Sequence, residues 1–189
     1  MVLESPADKI HLLIAKHLRE NNSKHLETAL GLSKQEISDL AGRLERGEIQ
    51  FHPLEGYNDL AVKAEGLDER LGSVVKVSNP ATGVNWEVLV GDNKMAHLQF
   101  KDNLFTILGR SQEYSRPSFV TLSKGGSFTS GISDREPGQG IDYVSRAHAI
   151  VVVQREPGTT KETVLVGHLG KNPTEIQPHE MGKPRRLLR

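Results

Sequence analysis

Ile150, Val151, Val152 and Val153 form an unbroken run of β-branched residues. Such side chains are stiff at χ1 and suit the pleated surface of a sheet. A short continuous apolar run of this kind reads as a buried strand, which needs neighbours. Ser145, Arg146 and His148 stand where the chain enters it. Polar groups at that place either end the strand or form a site.

The second half of the chain supplies the neighbours. Trp86–Val90, Ala96–Phe100, Leu104–Leu108, Phe119–Leu122 and Thr163–Val166 are short β-rich runs. Gly91-Asp92-Asn93 and Lys101-Asp102-Asn103 provide turn chemistry between them. Lys124–Gly140 is rich in glycine and serine and is expected as a long exposed loop, the kind that carries function or is disordered. Short strands at this spacing predict an antiparallel β-sandwich over 85–189, with its long loop near 115–141.

The first 50 residues read as helical. Ser5-Pro6-Ala7-Asp8 offers an N-cap, a proline at the first helical position and an acid in the first turn. Ile10, Leu13, Ile14 and Leu18 follow at helical spacing. A second helix is expected from about Ser23 to Leu30, with Gly31 as its stop. Ser33 and Glu36 make a capping box for a third, whose apolar face is Ile37, Leu40, Ala41 and Leu44 and which Gly47 closes. Residues 51–84 are broken by Pro53, Gly56, Gly66, Gly72, Pro80 and Gly83. They read as an irregular linker packing on its neighbours, with a short strand at Ser73–Val77. The fold class expected is thus α+β, a helical N-terminal segment before a sandwich.

Composition narrows the function. The 189 residues are 36% hydrophobic and 25% charged, as in a globular chain. Formal net charge is +0, which provides no long-range field for nucleic acid or an anionic membrane. There is no cysteine, so disulfides, thiolate catalysis and cysteine–zinc sites are excluded. No apolar segment is long enough to span a bilayer and no signal-peptide core is visible, so a cytoplasmic protein is expected. His148, His168 and His179 are too irregularly spaced for a standard metal site. Arg185, Arg186 and Arg189 read as a small solvated basic tail.

Three motifs flank predicted strands. They are Leu108-Gly109-Arg110-Ser111, then Ser145-Arg146-Ala147-His148-Ala149, then Gly170-Lys171-Asn172-Pro173-Thr174. In that order they resemble the forkhead-associated domain, whose pattern is Gly-Arg, Ser-Arg-x-His and a Gly-x-x-Asn-Gly-Thr-like loop on a sandwich that binds phosphothreonine peptides. The resemblance covers about residues 85–176. It departs from the pattern in a longer spacing across Ser115–Ile141 and in Pro173 standing for glycine. The family's further strands have little chain left before Arg189; either the fold is truncated or strands around Ser73–Val90 fill the gap.

The chemistry suits such a ligand. A phosphothreonine carries about −2 charge with three acceptor oxygens, and a guanidinium meets a phosphate with paired donors. Arg110 is the first choice for that contact. The resemblance implies that Ser145 donates its hydroxyl to the phosphate, with help from a donor at Arg146. It also implies a cation at Lys171 and an amide at Asn172 that bonds the peptide main chain. Gly109 would allow a close turn, and His148 would hold the loop that presents Ser145. No cofactor, metal or catalytic residue is expected, since no nucleophile stands with a base and an oxyanion hole and Gly-x-Ser-x-Gly is absent. The partner would be a phosphothreonine-containing protein, a Ser/Thr kinase or its substrate, and the chain a signalling adaptor.

Two rival readings come from other classes. Leu26, Leu30, Gly31, Leu32, Ile37 and Leu40 fit a helix-turn-helix frame, which would make a transcription regulator. Glu36 and Asp39 on the recognition helix argue against nucleic acid, which is held by Lys and Arg. A sandwich that has lost phosphate binding would instead be a scaffold for unmodified protein.

Overall fold

The computed structural model describes residues 6–20, 23–54, 57–62, 75–78, 85–90, 93–99, 103–110, 117–123, 126–131, 144–155, 162–178 and 185–187. Three helices come first: α1 (Pro6–Glu20), α2 (Ser23–Leu30) and α3 (Lys34–Glu45). The capping box of α3 is formed. The Glu36 N–H donates to Ser33 Oγ at 3.2 Å, and the Ser33 N–H donates to Glu36 Oε2 at 2.8 Å. At its other end Gly47 takes φ +68°, and the Gly47 and Glu48 N–H groups bond the Leu44 and Arg43 carbonyls, a Schellman stop. The buried stripe of α1 is Ile10, Ile14, Ala15 and Leu18; Leu13 is 47% exposed. Leu13 was expected on that stripe. The buried face leans towards Ala15 instead, which leaves Leu13 at the outer edge.

Twelve strands follow among the described residues. They are β1 (Phe51–Pro53), β2 (Tyr57–Val62), β3 (Val75–Ser78), β4 (Asn85–Val90), β5 (Asn93–Gln99), β6 (Asn103–Arg110), β7 (Pro117–Ser123), β8 (Gly126–Gly131), β9 (Ala149–Arg155), β10 (Glu162–His168), β11 (Thr174–Pro178) and β12 (Arg185–Leu187). They form two six-stranded antiparallel sheets, ordered β1-β10-β9-β6-β7-β8 and β12-β11-β2-β3-β4-β5. The β-branched run lies inside the first sheet. Ile150 pairs with Gly167 on β10 and Ile107 on β6, and Val151 with Val166 and Thr106.

The segment 51–84 is more than the irregular linker its sequence suggests. β1 is the edge strand beside β10, and β2 and β3 stand between β11 and β4. Pro53 is tolerated because an edge strand can spare its N–H. β8 lies within the stretch expected to be a loop, again at a sheet edge. Arg185 and Arg186, expected in a tail, belong to β12, which pairs with β11. The remainder of the expected loop, 115–116, 124–125 and 132–141, and Arg189 and His179 lie outside the described residues.

Helices and first sheet share one core. Leu26, Leu30, Leu32, Leu40 and Leu44 pack in a single cluster with Phe105, Ile107, Ile150, Val152 and Leu169. Each such side chain fully buried contributes ~1.5–3 kcal/mol. The helical segment is therefore a layer on this sheet rather than a separate unit. The alternate positions Thr106 and Val151 point to the other face and are buried as well, so the sheet is covered on both sides.

Candidate functional site

The site begins with a close approach of two backbones. β6 ends at Gly109-Arg110, and the loop Val144–His148 crosses it there. The His148 N–H donates to the Leu108 carbonyl at 2.8 Å. A Cβ on Gly109 would lie 1.8 Å from the Arg146 carbonyl oxygen, so only glycine permits this crossing.

His148 then joins the three motifs. It is fully buried, and its Nδ1 accepts from the Ser145 N–H at 3.1 Å. That assigns the ring proton to Nε2, which has no hydrogen bond of ordinary geometry. Its carbonyl accepts from the Leu169 and Gly170 N–H groups at 2.9 and 3.0 Å. Burial, with the neighbouring His168 ring second, pushes the His148 pKa down to about 4, opposed by the Pro173 backbone. The ring is neutral at physiological pH and acts as a fixed polar strut. His168 packs edge-on to it at 5.5 Å, and its Nδ1 lies 2.9 Å from Thr174 Oγ1 across the turn from β10 to β11.

Ser145 Oγ accepts from the Lys171 N–H at 3.1 Å. One lone pair is used in this way, and the hydroxyl proton remains available to a ligand. Gly170 keeps the joint tight, since a Cβ there would stand 2.7 Å from His148 Nδ1 and 2.9 Å from Ser145 Oγ. Gly170→Ala is expected to cost about 1–3 kcal/mol by overpacking, measured as a lower urea midpoint. A midpoint equal to that of the native chain would show that the joint can yield.

The three motifs open on one cleft of about 530 Å³. Arg110, Ser145, Arg146, Lys171 and Asn172 all line it. Lys171 is exposed, and the others are half-buried. The structure thus brings all five expected binding residues together and puts Gly109 and His148 beneath them. Of the two donors expected at Arg146, backbone or side chain, the side chain is engaged within the protein. Its Nη1 donates to the Gly31 carbonyl at 2.6 Å and its Nη2 pairs with Glu36 Oε1, so its guanidinium ties the loop to α3.

The second wall of the cleft is α3, which the sequence reading did not assign to the site. Leu32, Glu36, Asp39, Leu40 and Arg43 line it. Arg43 Nη1 donates to the Leu169 carbonyl at 3.3 Å. The Ser33 backbone N–H, foremost, holds the Glu36 carboxyl below the usual carboxylate range, and the Arg146 charge adds to this. The i, i+3, i+7 spacing of Glu36, Asp39 and Arg43 did signal one shared helix edge. Nothing local said what that edge faces.

Four cations (Arg43, Arg110, Arg146, Lys171) and two carboxylates (Glu36, Asp39) line the cleft, a net of +2 in a chain whose formal net charge is +0. Among the described residues no group of His, Asp or Glu side chains could hold a metal ion, and no helix is long and apolar enough to cross a membrane. No family model, curated protein or solved structure matches the chain. Fold and site together define an α+β protein whose strand-end loops and one helix enclose a cationic cleft.

Proposed function

We propose that this chain is a non-catalytic phosphothreonine-binding module of the forkhead-associated type, acting as an adaptor in Ser/Thr kinase signalling. The observation that carries the reading is the convergence of three motifs, far apart in sequence, on one cleft with a net charge of +2. A phosphothreonine dianion matches that excess. Arg110 supplies paired donors, Ser145 its hydroxyl proton, Lys171 a second cation and Asn172 a main-chain contact to the peptide. The two sheets act as a sandwich on this reading: helices take one face of the first sheet, and the second sheet is available for the other. β1, from ahead of the motifs, pairs with β10, and β2 joins β11 to β3. A cysteine-free chain suits a reducing cytoplasm.

The DNA-binding alternative is disfavoured by the use made of α3. The would-be recognition helix spends Glu36 on Arg146 and Arg43 on the Leu169 carbonyl. A helix turned towards its own protein presents less to a major groove.

The test is a phosphothreonine peptide library titrated against the full chain, repeated with Arg110→Ala. Phosphate-dependent binding is expected, and the variant is expected to lose about 2 kcal/mol or more, roughly 30-fold in Kd, as a charge-assisted contact is removed. Equal affinity for the two proteins would remove the assigned site. A gel shift on duplex DNA that weakens with salt would favour the rival reading.

A further inference from the structure

A phosphate cleft has no use for carboxylates, yet α3 lines this one with Glu36 and Asp39. Glu36 has a structural explanation, because its two oxygens serve the Ser33 cap and Arg146. Asp39 has less of one. Its Oδ1 accepts from Gln35 Nε2 at 2.8 Å on the exposed side of the helix. It interacts with Arg46 only through weak charge attraction, while Arg46 itself is bonded to Glu48 at 2.5 Å. Asp39 is exposed.

Arg146 and Glu36 neutralise each other in an ion pair, which leaves Asp39 on α3 and the remaining cations of the cleft as its other charges. The loops at the ends of β6 and β10 and ahead of β9 bring Arg110, Lys171 and Ser145 to the sheet side. Arg43 is drawn to the same side by its bond to Leu169. Asp39 lies one turn earlier on α3, on the helix wall, with Leu40 beside it. A ligand that is anionic throughout would meet repulsion at this wall. A ligand with a phosphate at one end and a cation at the other would meet opposite charge at both.

We propose that Asp39 is a specificity-determining residue that selects phosphothreonine segments bearing a lysine or arginine close to the phosphothreonine. This rests on the phosphothreonine reading above and names the class of peptide that the same cleft takes. Leu32 and Leu40, each 6% exposed, show only their edges at this wall, so the contact is made chiefly by charge. Glu36 is already held by Arg146, so Asp39 is the carboxylate that a ligand cation would meet on this wall. The helical segment is then part of the binding surface, and the peptide is read by helix and loops jointly.

The experiment uses the full chain and three synthetic peptides of one sequence. One has phosphothreonine flanked by lysines, one phosphothreonine flanked by glutamates, and one unphosphorylated threonine flanked by lysines. Affinities are measured by calorimetry for the native chain, Asp39→Asn and Asp39→Lys. The native chain is expected to prefer the lysine-flanked phosphopeptide about three- to tenfold, as for a charge pair at the rim of an interface. Asp39→Asn should reduce that ratio and Asp39→Lys should invert it, with the requirement for phosphate kept in both. Circular dichroism matching the native spectrum establishes that the variants fold, and the isosteric Asp39→Asn stands if Asp39→Lys does not. Phosphate-dependent binding that ignores the flanks, or a ratio unchanged by both substitutions, overturns the role of Asp39 and leaves the phosphothreonine reading in place. Binding that needs no phosphate, or none at all, overturns both.

Discussion

Gly109→Ala is expected to lower stability by roughly 3–5 kcal/mol, the sum of backbone overpacking and one lost buried hydrogen bond. The added Cβ would fall 1.8 Å from the Arg146 oxygen, 2.7 Å from its carbonyl carbon and 3.2 Å from Leu30 Cδ2. The first two are main-chain atoms and cannot turn aside as a side-chain tip can. Relief requires β6 to part from the Val144–His148 loop, where the His148 N–H is bonded to the Leu108 carbonyl at 2.8 Å. A domain is stable by only about 5–15 kcal/mol, so the loss is a large fraction of the total. On the proposed function, phosphopeptide affinity should fall together with stability, because the moved loop carries Ser145. The measurement is a denaturant titration of both proteins by two probes. A native-like midpoint would mean that the two backbones do not cross as closely as described.

The second large effect is in pH. The His148 pKa is about 4 in the folded chain against 6.5 for a free histidine. Between those values the unfolded chain binds the proton and the folded one does not, so stability falls as pH falls. It is complete above about pH 6.5 and is lost down to about pH 4, an amount of ~3 kcal/mol. Glu36, Glu45 and Glu48 have lowered pKa values, and their contributions are lost below the free-carboxylate value of 4.5. The window between pH 6.5 and 4.5 is therefore the one in which His148 contributes, and His148→Gln separates its share from that of the other histidines. Unfolding free energies at pH 7.5, 6, 5 and 4.5 should decline steadily, and His148→Gln should flatten that slope whatever it does to absolute stability. A native profile that is flat over this window would contradict a buried neutral ring.

The helices were legible because their determinants are local. Ser33 and Glu36 are three residues apart, and Gly31 and Gly47 stop α2 and α3 with φ of 63° and 68°. The run Ile150–Val153 announced its strand in the same way. β1, β2 and β8 were not legible. Pro53, the pair Asn58-Asp59 and the Gly126–Gly131 stretch carry weak β propensity, and their pairing depends on strands elsewhere in the chain. At the site, the types and order of Arg110, Ser145, Lys171 and Asn172 could be read directly, while the support from His148 was implied only by the resemblance. The diversion of Arg146 to α3 could not.

By itself the sequence determined what happens within a few residues: caps, stops, a buried strand and the chemical character of three loops. Tertiary structure alone decided that α3 closes the cleft, through Arg146 to Glu36 across 110 residues and Arg43 to Leu169 across 126. The physical reason is range. Caps and turns are settled by bonds that span one turn of chain. Contacts between distant segments follow from burying Leu26, Leu30, Leu40 and Leu44 against Phe105, Ile107 and Ile150, and apolar burial has no direction of its own until the whole core is assembled.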